Sequence, residues 1–356
     1  MTATTVTTKK PQRRWWRRRE EKRGPDQNVV LGHNKATPYL FSLPAILLVA
    51  AILGFPVLYG VWQSLYTRET LGSPLEWVGF ANYAGMFDAP AFWHAMNRTA
   101  IFTFGSLILG TGLGLFFAFA LFRVVSKLRF LRAVTVAPYI ISNVAAAVMF
   151  RILFNSQFGV LNQVIEWFGV DGPSWLADPG LAMFVVIVTQ VWTDLPLTIL
   201  VLLGGLMTVD KSYLDAALVD GATGWTRARH LTIPLLAPQL LISTVWLSYS
   251  TLTGLGVVLA LTGGGPLKAT QTLAMEMYTV AFRNLEFESA LAIAAFILVL
   301  NAVLTLAYVA IGRRYEYQQG PTYGTATSPP SQRRPPGPRR RSPVLRPNHV
   351  GWSAGG

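Results

Sequence analysis

Three polar side chains that could bind the hydroxyl groups of a ligand lie inside a long apolar stretch. Gln190, Thr193 and Asp194 stand near the middle of residues 181–209. An amide and a carboxylate at positions i and i+4 share one face of a helix, and both form hydrogen bonds with hydroxyl groups. Polar groups at membrane depth are costly unless they face a cavity or another helix. The pattern therefore indicates a substrate path, with a structural hydrogen bond to a partner helix as the alternative.

A second polar cluster interrupts another apolar stretch, residues 238–261. It consists of Ser248, Tyr249, Ser250 and Thr251. Some of these side chains must face the protein interior, although Ser and Thr can also bond back to carbonyl groups of their own helix. We expect Ser248, Tyr249 and Thr251 to contribute to the same substrate path.

The composition excludes several kinds of catalytic and cofactor site. The sequence contains no cysteine and only four histidines, which are scattered along the chain. It therefore has no disulfide scaffold, no Cys-ligated metal and no thiol nucleophile. No G-x-x-x-x-G-K-[ST] motif is present, so the chain has no phosphate-binding loop of that type. We predict no catalytic residue, metal site or cofactor site in this chain.

The polar residues are positioned by apolar segments long enough to cross a membrane. Charged residues make up 13% of the chain, about half the share of a soluble domain, and a spanning helix needs about 20 apolar residues. The fold class predicted is an all-α polytopic membrane protein, with one transmembrane domain over residues 39–312. Its six transmembrane helices are predicted at 39–66, 99–122, 133–154, 181–209, 238–261 and 289–312.

The distribution of Lys and Arg predicts the orientation of these six segments. Residues 1–38, 123–132, 210–237 and 313–356 hold 25 of the 30 Lys and Arg residues. Cytoplasmic loops of membrane proteins carry an excess of Lys and Arg. We therefore expect these four segments, and both termini with them, to lie in the cytoplasm.

The two ends of the chain differ in composition from the apolar domain. The basic N-terminal tail, residues 1–38, includes the run RRWWRRR at 13–19. This run predicts contact with anionic membrane lipid, with nucleic-acid binding as the weaker alternative, and no nucleic-acid partner is expected. The Pro- and Arg-rich C-terminal tail, residues 313–356, is typical of a disordered cytoplasmic segment.

The connection between the fourth and fifth apolar segments has a helix–glycine–helix pattern. A first short helix is predicted over 212–219, with Ser212 as its N-cap. Gly221 allows a left-handed turn, and a second short helix is predicted over 224–231, ended by Pro234. Because such a knob carries a small apolar face, it is suited to docking into a groove on another protein.

Residues 212–234 resemble the EAA loop of binding-protein-dependent ABC transporter permeases, E-A-A-x-x-D-G-A followed by I-x-L-P. Two positions depart from the family pattern: Asp215 replaces the usual Glu and Ala228 the usual Phe. If that Phe fills a pocket on the ATPase, an anchor is missing here, and Trp225 is a candidate replacement. The residues at matching places, with acidic or aliphatic substitutions at 215, 231 and 233, are Asp215, Ala216, Ala217, Asp220, Gly221, Ala222, Leu231, Ile233 and Pro234.

Two further segments are similar to sugar-uptake permeases related to the maltose and glycerol-3-phosphate systems. The outer loop Thr262-Gly263-Gly264-Gly265-Pro266 would form a rigid turn with few side chains. Residues 78–99 resemble the family segment that precedes the second helix. Glu288 stands where the family often has Gly, so the local packing there is expected to differ.

The resemblance implies a transport complex in a bacterial or archaeal plasma membrane. This chain would pair with a second, different permease, and two copies of an ATPase would bind the EAA loops. An extracytoplasmic solute-binding protein would deliver a sugar, and ATP and Mg would be bound by the ATPase. The resemblance implies a cationic partner for Asp215 and a turn shaped by Asp220 and Gly221. The alternative is that the two carboxylates only cap helices, at about 1 kcal/mol each.

Other functional classes explain less of the sequence. A secondary transporter driven by an ion gradient would account for six spans and for Asp194, but not for the EAA-like segment. An intramembrane enzyme lacks a supporting Ser/His, His-rich or paired-Asp arrangement.

Overall fold

The computed structural model describes residues 37–68, 72–124, 135, 137–222 and 224–318. The predictions for the N-terminal tail up to residue 36, for the C-terminal tail beyond residue 318 and for most of 123–136 lie outside this range. Within it the chain is helical except for one short antiparallel hairpin and the connecting turns. The contacts divide the chain into two compact units.

The described part of the first unit comprises residues 37–68, 72–88 and 280–295. A long N-terminal helix runs through α1, one π-helical turn and α2, and no residue of its most apolar stretch is buried. A hairpin and a short helix follow. The bounds are α1 Thr37–Val49, the π-helical turn Ala50–Gly54, α2 Phe55–Gln63, β1 Tyr66–Thr67, β2 Glu76–Trp77 and α3 Ala81–Asp88.

The hairpin of the first unit is fixed by side chains as well as by its strands. Tyr66 pairs with Trp77 in antiparallel register. The Asn82 amide donates hydrogen bonds to the carbonyl oxygens of Ser64 and Tyr66, at 2.8 and 2.7 Å. These bonds hold α3 against the start of the hairpin.

The second unit comprises residues 89–279 and the chain from 296 onward, described to residue 318. Its helices are α4 Pro90–Val124, α5 Asn143–Leu153, α6 Val160–Glu166, α7 Pro179–Thr208, α8 Lys211–Val219, α9 Gly224–Arg227, a π-helical turn Ala228–Thr232, α10 Ile233–Leu235, α11 Ala237–Thr253 and α12 Leu255–Leu261. Two helices, α13 Leu273–Phe282 and α14 Phe287–Gln318, begin in one unit and end in the other.

Helix α7 is the centre of the second unit, because 61% of its most apolar window is buried. It packs against α4 and α11, and glycines of α4 allow a close approach. A Cβ atom at Gly105 would lie 2.7 Å from Ile187 Cδ1, and one at Gly114 would lie 2.5 Å from Thr198 Cγ2. The contact between α4 and α7 therefore depends on the missing side chains at these glycines.

Two glycines of the same helix give a matched test of this packing. We expect Gly114→Ala to lower the melting temperature of the purified permease, because its methyl group would overlap Thr198. Gly112→Ala should raise it slightly, since nothing lies within 4 Å of a Cβ there and Ala is the better helix former by about 1 kcal/mol. A thermal unfolding assay in detergent compares the two variants. Equal effects would contradict the close contact between α4 and α7.

The predicted multi-span helical architecture is confirmed in its coarse form. Among the described residues, four helices are long and apolar enough to cross a membrane: Ser42–Gln63, Pro90–Arg123, Pro179–Thr208 and Phe287–Arg313. They correspond to the first, second, fourth and sixth predicted segments. A fifth span results if Gly224–Leu235 and Ala237–Thr253, bent by 73°, count as one.

The other two predicted segments differ from continuous 20-residue helices. The third, 133–154, contains α5, which has 11 residues, and part of this segment lies outside the described range. The fifth, 238–261, is broken at Gly254 into α11 and α12. The polar cluster at 248–251 and Thr253 precede this glycine, but the stretch 238–261 is apolar enough on average to have been predicted as one span. The count of six spans stays a prediction.

Candidate functional site: a buried polar cluster and a helical connection

A hydrogen-bonded cluster joins α7 to α11 inside the second unit. Gln190 Nε2 donates to Asp194 Oδ2 at 2.8 Å and to Ser250 Oγ at 3.0 Å. The Gln190 side chain is fully buried and Asp194 is only 5% exposed. The structure therefore brings together two of the predicted path residues, one helical turn apart, and adds Ser250 from the second cluster.

Several buried polar atoms in the second unit have no hydrogen-bond partner among the described residues. Gln190 Oε1 is an unpaired acceptor. Trp246 Nε1 on α11 is directed at the Asp194 carboxylate, but without the geometry of a good hydrogen bond. The hydroxyl groups of Thr103 and Ser106 on α4 are also unpaired. Buried polar groups in proteins are almost always hydrogen-bonded. These atoms therefore leave hydrogen-bonding capacity for a bound polar molecule.

The break between α11 and α12 lies directly beside Gln190. A Cβ atom at Gly254 would be 3.4 Å from Gln190 Oε1 and 2.7 Å from the Ser250 carbonyl oxygen. Non-helical backbone at membrane depth is tolerated only where it is buried in protein or lines a cavity. The position of the break supports a polar site at this point of the membrane domain.

Most of the remaining predicted path residues form hydrogen bonds with backbone carbonyl groups of their own helices. Thr193 Oγ1 donates to the Gln190 carbonyl at 2.8 Å, and Thr251 Oγ1 donates to the Leu247 carbonyl at 2.8 Å. Ser248 donates to the Thr244 carbonyl, and its hydroxyl lies 3.0 Å from that of Tyr308. Their hydrogen bonds stay within the chain.

Tyr249 differs from the other predicted path residues because it is 53% exposed on α11. Its ring centroid lies 6.4 Å from that of Trp246. The structure therefore leaves Tyr249 outside the Gln190–Asp194 cluster.

Four polar residues of this region were absent from the predicted site. Ser250 and Trp246 extend it on α11, and Thr103 and Ser106 are buried unpaired hydroxyl groups on α4, which packs against α7. The spacing of Thr103 and Ser106 at i and i+3, inside an apolar segment, was the available sequence signal.

The connection after α7 forms a capped helix followed by a left-handed turn. Asp210 is the N-cap of α8: its carboxylate accepts a hydrogen bond from the Ser212 backbone N–H at 2.9 Å. Hydrogen bonds from Ser212 lower the pKa of Asp210. The prediction that Ser212 is the cap was therefore wrong by two residues, since the helix already begins at Lys211.

Gly221 ends α8 with a Schellman motif. The Ala222 N–H donates to the Ala217 carbonyl at 2.9 Å, and the Gly221 N–H donates to the Leu218 carbonyl at 3.1 Å. Gly221 has φ +77°, the left-handed conformation that this motif requires. The predicted left-handed turn at Gly221 is present, and Asp220 forms the C-cap before it.

We predicted that Pro234 ends the second part of the connection, but it does not. After α9 the chain continues through the π-helical turn and α10, with Pro234 in the first turn of α10. Proline is tolerated there because the N–H it lacks would have had no helical partner. The chain instead bends by 73° between Leu235 and Ala237.

The connection exposes large apolar side chains together with the acidic and small residues of the EAA-like pattern. Asp215 and Ala216 are exposed, and Val219 is 88% exposed. Trp225 is 71% exposed. Exposed apolar side chains grouped in this way mark a surface for contact with another protein or a membrane.

Comparison with known proteins decides the family. Residues 110–317 match the family of binding-protein-dependent transport system inner membrane components. This chain belongs to that family. The predicted membership is thereby confirmed, and the permease is a multi-pass protein of the plasma membrane in a family of transporter subunits rather than enzymes.

Relatives and solved structures agree with this assignment. The trehalose/maltose transport system permease protein MalF of Thermococcus litoralis is 32% identical over 278 residues, covering 77% of this chain and 93% of that protein. The sn-glycerol-3-phosphate transport system permease protein UgpA of Agrobacterium fabrum is 31% identical, covering 76% and 93%. A bacterial ABC transporter involved in alginate import contains a chain with the same fold, at 23% identity and a TM-score of 0.66, covering 78% and 95%.

Two of the three departures from the family, at Ala228 and Glu288, have a structural counterpart in this permease. Ala228 lines a cavity within its own chain, between the connection and the ends of α4 and α7. Trp225 is not part of the cavity lining, and its proposed contact with a pocket on the ATPase stays a prediction. At the other position, Glu288 Oε1 accepts a hydrogen bond from Arg68 Nε at 2.7 Å. An ion pair stands where the family often has Gly.

The glycine-rich loop between α12 and α13 forms a hydrogen-bonded turn, as predicted. Thr270 Oγ1 donates to the Gly265 carbonyl at 2.7 Å, and the hydroxyl groups of Thr262 and Thr270 lie 2.7 Å apart. Gly263 and Gly264 adopt φ values of +61° and +90°, which L side chains rarely reach. Backbone conformation therefore explains the glycines in this loop.

Proposed function

We propose that this permease and a second, different permease form the path by which a sugar crosses the plasma membrane. The surface connection from Asp210 to Leu235 carries the proposal, because it presents the EAA spacing on exposed helices. An extracytoplasmic binding protein delivers the sugar, and a separate ATPase, which binds ATP and Mg, supplies the energy. The relatives named for trehalose/maltose and sn-glycerol-3-phosphate transport support the sugar class.

In this proposal α8 is the element that contacts the ATPase dimer. Its exposed face offers Asp215 to a cationic side chain and Val219 to an apolar groove. Gly221 holds the turn that orients α8 relative to α9. The proposal includes six spans with both termini in the cytoplasm, because that orientation places the connection on the ATPase side of the membrane.

The Gln190–Asp194 cluster is the proposed contact with the sugar inside the membrane. The Asp194 carboxylate and the unpaired Gln190 Oε1 accept hydrogen bonds, and the Trp246 N–H, which is directed at Asp194 without a good hydrogen bond, can donate one. Sugar hydroxyl groups both donate and accept, so they match this mixture. Thr193, Ser248 and Thr251 lie beside the cluster and bond back to carbonyl groups of their own helices. Tyr249 faces outward and lines the path from the side of the second permease.

A secondary transporter driven by an ion gradient is the second candidate, because Asp194 is a buried carboxylate in a membrane domain. Reconstitution with the products of the neighbouring transport genes distinguishes the two. We expect uptake of a labelled sugar into vesicles to require ATP and the binding protein, without a proton or sodium gradient. Uptake that follows an imposed gradient in the absence of ATP would contradict the ABC mechanism.

A further inference from the structure

A cavity of about 140 Å³ lies beneath the helical connection of this permease. One wall is formed by Phe119 and Phe122 near the end of α4, and another by Leu206 of α7 and Leu214 of α8. Ala228 closes it with only a methyl group. An engineered apolar cavity of about 150 Å³ in another protein binds benzene. The space at Ala228 is therefore large enough for the end of an apolar chain.

Two arginines give this cavity a positive rim. Arg123 in the last turn of α4 and Arg227 at the end of α9 both contribute to its lining. Neither arginine has an ion pair or side-chain hydrogen bond with a described residue, since the described salt bridge joins Arg68 to Glu288. The cavity thus combines an apolar interior with two guanidinium groups that have no acidic partner among the described residues.

The position of the cavity also limits which ligands can reach it. Under the proposed orientation, α4 and α7 end there at the cytoplasmic face, next to segments that hold most of the Lys and Arg. Anionic phospholipids are enriched in the cytoplasmic leaflet, and basic pockets between helices on this side bind their head groups. An amphiphile with a negative head and an apolar tail matches the rim and the interior together.

We propose that this cavity binds one anionic phospholipid of the cytoplasmic leaflet, with acyl carbons at Ala228 and the phosphate between Arg123 and Arg227. The lipid then bridges the ends of two membrane helices and the connection. Its binding stabilises the arrangement in which α9 lies against α4. The inference rests on the proposed orientation, but it does not require that the transported molecule be a sugar.

The test measures phosphatidylglycerol binding by thermal stability of the full-length permease, co-expressed with its neighbouring transport genes and purified in detergent. We expect phosphatidylglycerol to raise the melting temperature of the wild type by about 3 °C or more, and phosphatidylcholine with the same acyl chains to raise it clearly less. Ala228→Phe, which fills the cavity, should abolish the rise. Ala310→Phe, at an exposed alanine of α14, should keep it.

A second variant keeps the test decisive if Ala228→Phe does not fold. The double variant Arg123→Gln/Arg227→Gln leaves the cavity open and removes its positive rim. We expect it to lose the preference for phosphatidylglycerol over phosphatidylcholine. Equal stabilisation by both lipids in the wild type, or an undiminished phosphatidylglycerol effect in the Arg double variant, would overturn the proposal. ATP-dependent uptake is scored separately, so failure of the transport proposal would not be mistaken for failure of this one.

Discussion

A Gly221→Val variant of this permease is expected to lose most of its ATP-dependent uptake and to co-purify with much less ATPase. Gly221 has φ +77° at the end of α8. A left-handed conformation costs an L residue about 1–2 kcal/mol, which lowers the population with the native turn about 5- to 30-fold. The remaining molecules would present α8 at a different angle to the ATPase. Uptake into vesicles and the ATPase content of the purified complex measure the effect.

A conservative variant separates the backbone effect from a steric one. Nothing lies within 4 Å of a Cβ atom at Gly221, so a side chain has room there. Asparagine tolerates the left-handed region better than other residues with a side chain, and Gly221→Asn should therefore retain most of the uptake. If Gly221→Val transports as well as Gly221→Asn, the Schellman turn does not position the coupling helix.

An Asp194→Asn variant is expected to lower sugar uptake about tenfold or more while the complex stays assembled. Asparagine can still accept the hydrogen bond from Gln190 Nε2, so the contact between α7 and α11 is retained. The variant removes the charge and one acceptor oxygen. Loss of a hydrogen bond that involves a charged group typically costs about 1.5–3 kcal/mol, which corresponds to a tenfold or larger change in rate. Initial uptake rates over a range of sugar concentrations measure this loss.

Thr189→Val is the matched control for Asp194. The Thr189 hydroxyl is also buried on α7, but it donates to the Val185 carbonyl of the same helix at 2.7 Å. Its removal should leave uptake near the wild-type level. A purely structural role for Asp194 predicts the opposite pattern: loss of the second permease from the purified complex in Asp194→Asn, with normal uptake by the complexes that remain.

Local composition predicted the central helix and its polar residues well. Helix α7 runs from Pro179 to Thr208, close to the predicted 181–209, because one long apolar run crosses the membrane there. The same reasoning placed the start of α4 at residue 99, nine residues too late, since His94, Asn97 and Arg98 weaken the apolar signal. Pro90 begins the helix because a proline is favourable in the first turn.

The contacts that assemble the sites were beyond local reasoning. Gln190 bonds to Ser250, 60 residues later, and the Thr99 hydroxyl accepts a hydrogen bond from the Leu273 N–H, 174 residues later. Helix periodicity places residues on a face but does not say which face meets which. The cavity at Ala228 likewise depends on how α4, α7 and the connection pack. The sequence showed that the usual aromatic side chain is missing at position 228, but it did not show that a cavity lies there.

The central claim is that the connection after α7 binds an ATPase, and crosslinking at one engineered cysteine tests it most directly. The chain has no cysteine of its own, so Val219→Cys on α8 can be labelled alone with a photoreactive maleimide. The control is Leu267→Cys in the glycine-rich loop between α12 and α13, where the Leu267 side chain is 90% exposed. We predict that Val219→Cys crosslinks to an ATP-binding subunit and that Leu267→Cys does not. Crosslinking of that subunit at Leu267→Cys, or of no ATP-binding protein at Val219→Cys in an actively transporting complex, would contradict the account.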